Sequence, residues 1–184
     1  MYIGADSRVN ESTVPVLRTE RLTLRGHRAA DIADCYAMWS HPAVTRFIGG
    51  KPSTYQQTWM RVLAYAGHWA LLGFGYWLIE ETATSNFVGE VGLANFKRDI
   101  AASMQGVPEL GFALSPSAHG KGYATEAVRA ALAWGDDHLE AKRTVALITP
   151  ENAASIRVAE KCGYSIFERS TFAGEPALFL ERVR

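Results

Sequence analysis

The stretch from Ser115 to Ala127, SPSAHGKGYATEA, sets Gly120, Lys121 and Gly122 between a turn-forming Ser-Pro-Ser and the start of a helical pattern. Glycines let a backbone approach a ligand closely, and the first turn of a helix leaves about four amide N–H groups without intrahelical partners. Those amides and the positive end of the helix dipole attract an anion, so this strand-loop-helix corner is a candidate phosphate site. Taken locally, the same residues also suit a glycine-rich turn that merely starts a helix. Spacing narrows the ligand. A P-loop requires a hydroxyl directly after its Gly-Lys, and Lys121 is followed by Gly122. A dinucleotide fingerprint requires a third glycine where the chain has Thr125. A different phosphate-bearing ligand is indicated.

The second chemically suggestive stretch is Pro150 to Tyr164, PENAASIRVAEKCGY, preceded by the β-branched alternation Arg143 to Thr149. Again a strand runs into a helix. Asn152 is placed to cap that helix and Gly163 to end it. Asn152 and Ser155 can be capping residues alone; their pairing with the glycine loop makes them site candidates.

Together these stretches resemble the GNAT superfamily of acetyl-CoA-dependent N-acetyltransferases. The family's Gln/Arg-x-x-Gly-x-Gly/Ala motif reads here His119-Gly120-Lys121-Gly122-Tyr123-Ala124, with His at the first position. GKGYATEA, NAASIRVAEKCGY and the segment Leu17 to Arg25, LRTERLTLR, are similar to the branch that contains ribosomal-protein N-terminal acetyltransferases. The resemblance runs from Leu17 to Val183.

The resemblance implies a mixed, mostly antiparallel, strongly twisted α/β sheet flanked by helices, in which the strand ending at Leu114 and the strand from Thr144 splay apart. The pantetheine arm of acetyl-CoA then lies between them, pairing with backbone at Phe112, Ala113 and Leu114 as an added strand would. Amides from Gly120 through Ala124, with His119, Lys121, Gly122 and Tyr123 in the loop, hold the pyrophosphate, and Asn152 borders the pantetheine. Acetyl transfer needs a neutral amine, a polarised carbonyl and a stabilised leaving thiolate. Ser155 occupies the position at which this branch places a hydroxyl for the thiolate; the Tyr that many members carry four residues later is Ala159 here, and Tyr164 is read as core. For the base, Glu109 is the first candidate, followed by Glu90, whose apolar strand favours a raised pKa, and His68. Some members carry a Glu where this chain has Leu147, so that route is absent. The amine can also lose its proton to water.

The elements that position these groups read as one alternating domain. Arg21 to His27 reads as a strand, and Ile32, Cys35, Tyr36 and Trp39 recur at helical spacing behind Asp31. Ser53 and Gln56 form a capping-box pattern before a helix that Gly73 stops near Leu72. Strands are expected at Phe74 to Glu80, Phe87 to Lys97 and Glu109 to Leu114, the last two joined by a long Arg98 to Pro108 connection. A helix from Tyr123 to Leu139, the strand from Thr144, the helix from Asn152, and strands at Ser165 to Arg169 and Ala177 to Arg182 complete the order.

Composition excludes several classes. The 184 residues are 48% hydrophobic and 21% charged, suited to one globular domain. Nineteen basic and nineteen acidic residues cancel, which argues against nucleic-acid or anionic-membrane partners. Cys35 and Cys162 fall in helical patterns as buried thiols, and no Cys/His spacing suits a metal. Residues 1–15 lack a signal-peptide pattern and read as a flexible arm, with a cytoplasmic location expected. Residues 16–184 form the domain. Acceptor specificity in the resembled fold comes from the Ala43 to Leu72 region and the Arg98 to Pro108 loop. Trp59, Trp69, Phe74, Tyr76 and Trp77 suit either an acceptor cleft or the core. A protein N-terminal α-amine and a small-molecule amine are both open as acceptor, a homodimer is compatible with the family, and a non-catalytic acyl-CoA sensor is the alternative function.

Overall fold

The computed structural model describes residues 14–98 and 104–184. Period-two alternation and glycine punctuation yield eight strands: β1 Leu17–Arg18, β2 Leu22–Arg25, β3 Tyr76–Glu81, β4 Phe87–Ala94, β5 Glu109–Leu114, β6 Arg143–Ile148, β7 Ser165–Phe172 and β8 Glu175–Val183. They form one sheet in the order β1-β2-β3-β4-β5-β6-β8-β7. The helices are α1 Ile32–Trp39, α2 Pro42–Thr45, α3 Tyr55–Leu72, α4 Tyr123–His138 and α5 Ala153–Lys161. This is the mostly antiparallel, helix-flanked α/β sheet expected above.

Directly opposed residues share a face. Leu78, Glu90 and Ala113 are opposed in turn and lie under α1 and α3, where Cys35 and Val62 pack on Leu78, and Trp39 on Ala113. Val91, Leu93, Leu110 and Leu114 point to the other face and join Ala127, Val128, Ala131 and Leu132 of α4 in the main core. The helix α4, expected from the sequence to follow a phosphate loop, and the helices α1 and α3 therefore pack largely on opposite faces of the sheet.

Among the described strands only β5 and β6 run parallel, and they pair at just two positions, Glu109 with Val145 and Leu110 with Ala146. β5 stays paired with β4 out to Leu114, and β6 with β8 out to Ile148. From Gly111 onward β5 has no strand partner on its β6 side. A wedge opens there with backbone donors and acceptors on its edges.

Several boundaries differ from the sequence expectation for identifiable reasons. The capping box before α3 uses Thr54 and Gln57, one residue later than expected: Gln57 N–H donates to Thr54 Oγ1 at 3.2 Å and Thr54 N–H to Gln57 Oε1 at 2.8 Å. Ser53 is instead tied back to α1 by donating its N–H to the Trp39 carbonyl at 2.9 Å. β4 stops at Ala94, short of Lys97, whose φ of 50° leaves the extended region. β7 and β8 are longer than expected because a two-residue turn at Ala173 and Gly174, both with positive φ, joins them directly. The arm expected over residues 1–15 lies outside the described residues except for its end, where Val14 packs on the core and the Pro15 carbonyl accepts from Trp77 Nε1 at 2.8 Å.

Strand backbones pack closely beside the wedge. A Cβ at Gly92 would overlap Tyr76 Cα and the Gly75 carbonyl, both backbone of β3 or its entry. Gly92→Ala is expected to lower unfolding free energy by about 3 kcal/mol in urea titration, since strand backbone cannot yield as a side chain does. A change within about 0.5 kcal/mol would show that β3 and β4 have slack there.

Candidate active site

β5 ends at Leu114, one 3-10 turn follows at Pro116–Ala118, and the chain then passes through Gly120 and Gly122 with φ of 76° and 81°. A side chain at either position would meet open space or, at Gly122, only Arg21 Nη2 at 3.5 Å, so the left-handed backbone itself calls for glycine. α4 starts at Tyr123 with no side-chain cap, which leaves its first amides available to a ligand. His119, the departure from the family pattern, donates Nε2–H to the Leu114 carbonyl at 2.9 Å and so pins the loop to the end of β5.

The segment before β2 completes this corner. Glu126, in the first turn of α4, would repel an anion, but it accepts from Thr19 Oγ1 at 2.6 Å, from Arg21 N–H at 3.0 Å and from Arg21 Nε at 2.8 Å. Burial pushes the Glu126 carboxyl up, and those hydrogen bonds and the guanidinium outweigh it, holding the group ionised and neutralised below its ordinary range. Arg21 also donates to the Lys121 carbonyl at 3.0 Å. The TER and ATE segments of the two resemblance motifs are thus in contact. The Lys121 ammonium lies 3.8 Å from Glu81, which also accepts from the Tyr123 hydroxyl at 2.9 Å.

The wedge leads from this loop into a cleft of about 140 Å³. Phe112 and Ala113 of β5, Leu147 of β6, Asn152 and Ser155 border it. Asn152 caps α5, its Oδ1 accepting from Ser155 N–H at 3.1 Å. The Ser155 hydroxyl has no protein partner among the described residues.

The candidate bases are placed differently from one another. Glu109 lines the cleft, but both its oxygens accept from Arg98, at 2.8 and 2.9 Å. Glu90 is fully buried behind the cleft wall, where it accepts from Trp39 Nε1 at 2.9 Å and His27 Nε2 at 3.3 Å. His27, Cys35 and Glu90 lie with their polar atoms within 4.8 Å of one another, distant in sequence but adjacent in space. Burial raises the Glu90 carboxyl, yet the bonds and charge of His27 and the bonds from Trp39 and Cys35 bring it below its ordinary value. Burial followed by the Glu90 charge pushes the Cys35 thiol well up, so it stays protonated. His68 donates Nδ1–H to the Ala64 carbonyl at 2.8 Å, stacks edge-on to Phe96 and does not line the cleft.

Of the five aromatics, Trp69 and Trp77 pack against Trp134 in the core, while Tyr76 lines the cleft stacked on Tyr65, ring centroids 4.3 Å apart. Trp39, Arg61 and Tyr65 were absent from the sequence candidates. A signal existed: Thr58, Val62, Tyr65 and Trp69 form the buried stripe of α3, and Arg61 adjoins it at i+3 from Thr58.

Residues 21–165 match the family model described as an Acetyltransferase (GNAT) domain. The chain is 31% identical over 154 residues to the uncharacterized protein YkkB of Bacillus subtilis, covering 80% of this chain and 83% of that one. A solved GNAT-family acetyltransferase from Bordetella pertussis, described as putative, superposes with a TM-score of 0.82 at 30% identity, over 92% of this chain and 99% of that one. The spermidine N-acetyltransferase of Vibrio cholerae, solved with CoA and spermine, shares the fold at TM-score 0.71 and 16% identity, over 90% of this chain and 96% of that one. No described helix is long and apolar enough to cross a membrane. The splayed β5–β6 wedge, the glycine loop at α4 and the family match over residues 21–165 agree, and the chain belongs to the GNAT family of acetyl-CoA-dependent acetyltransferases.

Proposed function

We propose that this protein moves the acetyl group of acetyl-CoA to a primary amine by direct attack within a ternary complex. The observation that carries this is the continuity of the open β5 edge with the uncapped α4 loop on one side and with Ser155 on the other. Pantetheine amides pair along Phe112 to Leu114, the pyrophosphate rests on amides from Gly120 to Ala124, and Asn152 borders the arm. The amine nitrogen attacks the thioester carbonyl carbon, and a backbone N–H near Leu114 receives the oxyanion. The C–S bond then breaks, Ser155 donates its proton to the departing sulfur, and the proton shed by nitrogen restores the hydroxyl through water. Glu109 is the cleft's carboxylate. Arg98 donates to both its oxygens, which commits Glu109 to an ion pair on the acceptor side of the cleft. The ammonium therefore loses its first proton to water, with Glu109 and Arg98 fixing the acceptor side.

Thermal unfolding with acetyl-CoA, CoA, ATP and NAD at matched concentrations tests the donor half of this assignment. At 100 times the dissociation constant, acetyl-CoA and CoA are expected to stabilise by about 2.7 kcal/mol, with ATP and NAD well below. Gly122→Glu places a side chain in left-handed backbone and a negative charge at the helix start, and is expected to abolish the shift. An equal shift with ATP, or one that survives Gly122→Glu, would remove the loop from the cofactor site.

A further inference from the structure

Arg61 enters the cleft from α3, on the sheet face opposite α4 and its phosphate loop. Its guanidinium carbon lies over the Trp39 ring, 3.9 Å from the centroid. The same indole donates Nε1–H to Glu90, whose charge on the ring edge enriches the face on which Arg61 rests. Arg61 is thereby held at a fixed place in the cleft wall. Its Nε is the one buried side-chain polar atom without a hydrogen-bond partner among the described residues, and the guanidinium forms no ion pair among them. A buried donor left unmade is costly, and proteins leave few such groups unless a ligand or ion completes them.

The other charges bordering the cleft are already matched. Arg98 and Glu109 neutralise each other through two hydrogen bonds, and Glu90 stands behind the indole with both oxygens engaged. What the described residues present to an entering acceptor is therefore a cation, Arg61, set among the rings of Trp39, Tyr65 and Tyr76, with the Tyr65 hydroxyl against its guanidinium. This arrangement repels polycations and matches a planar anion, which a guanidinium binds in a fork of two N–H groups. The cleft volume of about 140 Å³ is of a size to suit a small acceptor.

We propose that Arg61 recognises a carboxylate on the acceptor, so that the amine acetylated is a small amino carboxylate. The proposal rests on the acetyltransferase assignment above and names the substrate class of that same cleft. Arg61 binds the carboxylate, the amine points toward the thioester beside Ser155, and Glu109 with Arg98 borders the intervening wall. The Vibrio cholerae spermidine N-acetyltransferase was solved with spermine, a polycation, whereas Arg61 in this cleft favours an acceptor that carries an anion.

The test is a thiol-release assay with acetyl-CoA and the standard L-amino acids, each supplied as free carboxylate, carboxamide and decarboxylated amine, with spermine and ribostamycin as cationic comparators. Wild-type protein is expected to favour the carboxylate form of its best acceptor by at least roughly tenfold in kcat/KM, with no turnover of the polycations. Arg61→Met is expected to erase that preference by raising KM for the carboxylate roughly ten- to hundredfold while kcat changes much less. Arg61→Lys is expected to restore part of it. Equal use of carboxylate and decarboxylated forms, preference for a polycation, or an equal loss for all forms in Arg61→Met would each overturn the proposal. So would absence of turnover with every amino carboxylate while acetyl-CoA still stabilises the fold. Loss of that stabilisation in wild-type protein would instead fail the acetyltransferase site itself.

Discussion

Ser155→Ala is expected to lower kcat about a hundredfold while leaving acetyl-CoA affinity within a factor of about three. The substitution removes one oxygen that has no protein partner among the described residues, so nothing in α5 is left unsatisfied. The Ser155 amide still donates to Asn152 Oδ1, and the helix cap survives. What is lost is the proton that meets the departing thiolate, a contact made as the C–S bond breaks and not in the ground state. Rapid-mix measurement of CoA release, paired with acetyl-CoA titration by thermal unfolding, separates the two effects. Unchanged turnover would show that the thiolate leaves without help from this hydroxyl; a parallel loss of affinity would make Ser155 a binding residue.

Glu90→Leu is expected to lower unfolding free energy by about 4 kcal/mol at neutral pH, with Glu90→Gln costing about half as much. The leucine leaves the Trp39 and His27 donors buried without an acceptor, whereas glutamine keeps one oxygen for Trp39. The pH dependence carries the sign. The folded-state carboxyl of Glu90 lies below its ordinary value, so its stabilising contribution is complete above about pH 4.5 and is lost as pH falls through the lowered folded value. Wild-type stability should therefore fall more steeply in acid than that of Glu90→Gln. Urea unfolding at pH 7 and at descending acid pH checks both parts. Parallel curves for the two proteins would mean that Glu90 is not ionised in the fold. Because the Glu90 charge enriches the Trp39 face on which Arg61 rests, Glu90→Gln should also raise the acceptor KM, although Glu90 itself does not border the cleft.

The groups proposed to bind the donor are legible in the sequence because their chemistry is local. Gly120 and Gly122 are glycines for backbone reasons that a sequence displays, and Asn152 caps the helix three residues before Ser155, a spacing visible without a fold. β5 was bounded at Glu109 and Leu114 by the same local signals. The proposed acceptor wall was not legible, because it is assembled from residues that meet only through tertiary packing. Trp39, Arg61 and Glu90 come from α1, α3 and β4, and the role of each depends on the other two. Glu109 looked like an available carboxylate until Arg98, eleven residues earlier, was found on both its oxygens. The β7–β8 hairpin was read short for a different reason. Its turn places an alanine, Ala173, at a φ of 52°, where sequence rules look for Asn, Asp or Gly.

The most direct measurement of the central claim is the initial rate of free CoA release with acetyl-CoA and the best amine acceptor both varied. Intersecting lines, with no release in the absence of amine and none from Gly122→Glu, are expected if the amine attacks acetyl-CoA while both occupy the β5–β6 wedge. Parallel lines, amine-independent release, or no release with any amine would contradict direct transfer in that cleft.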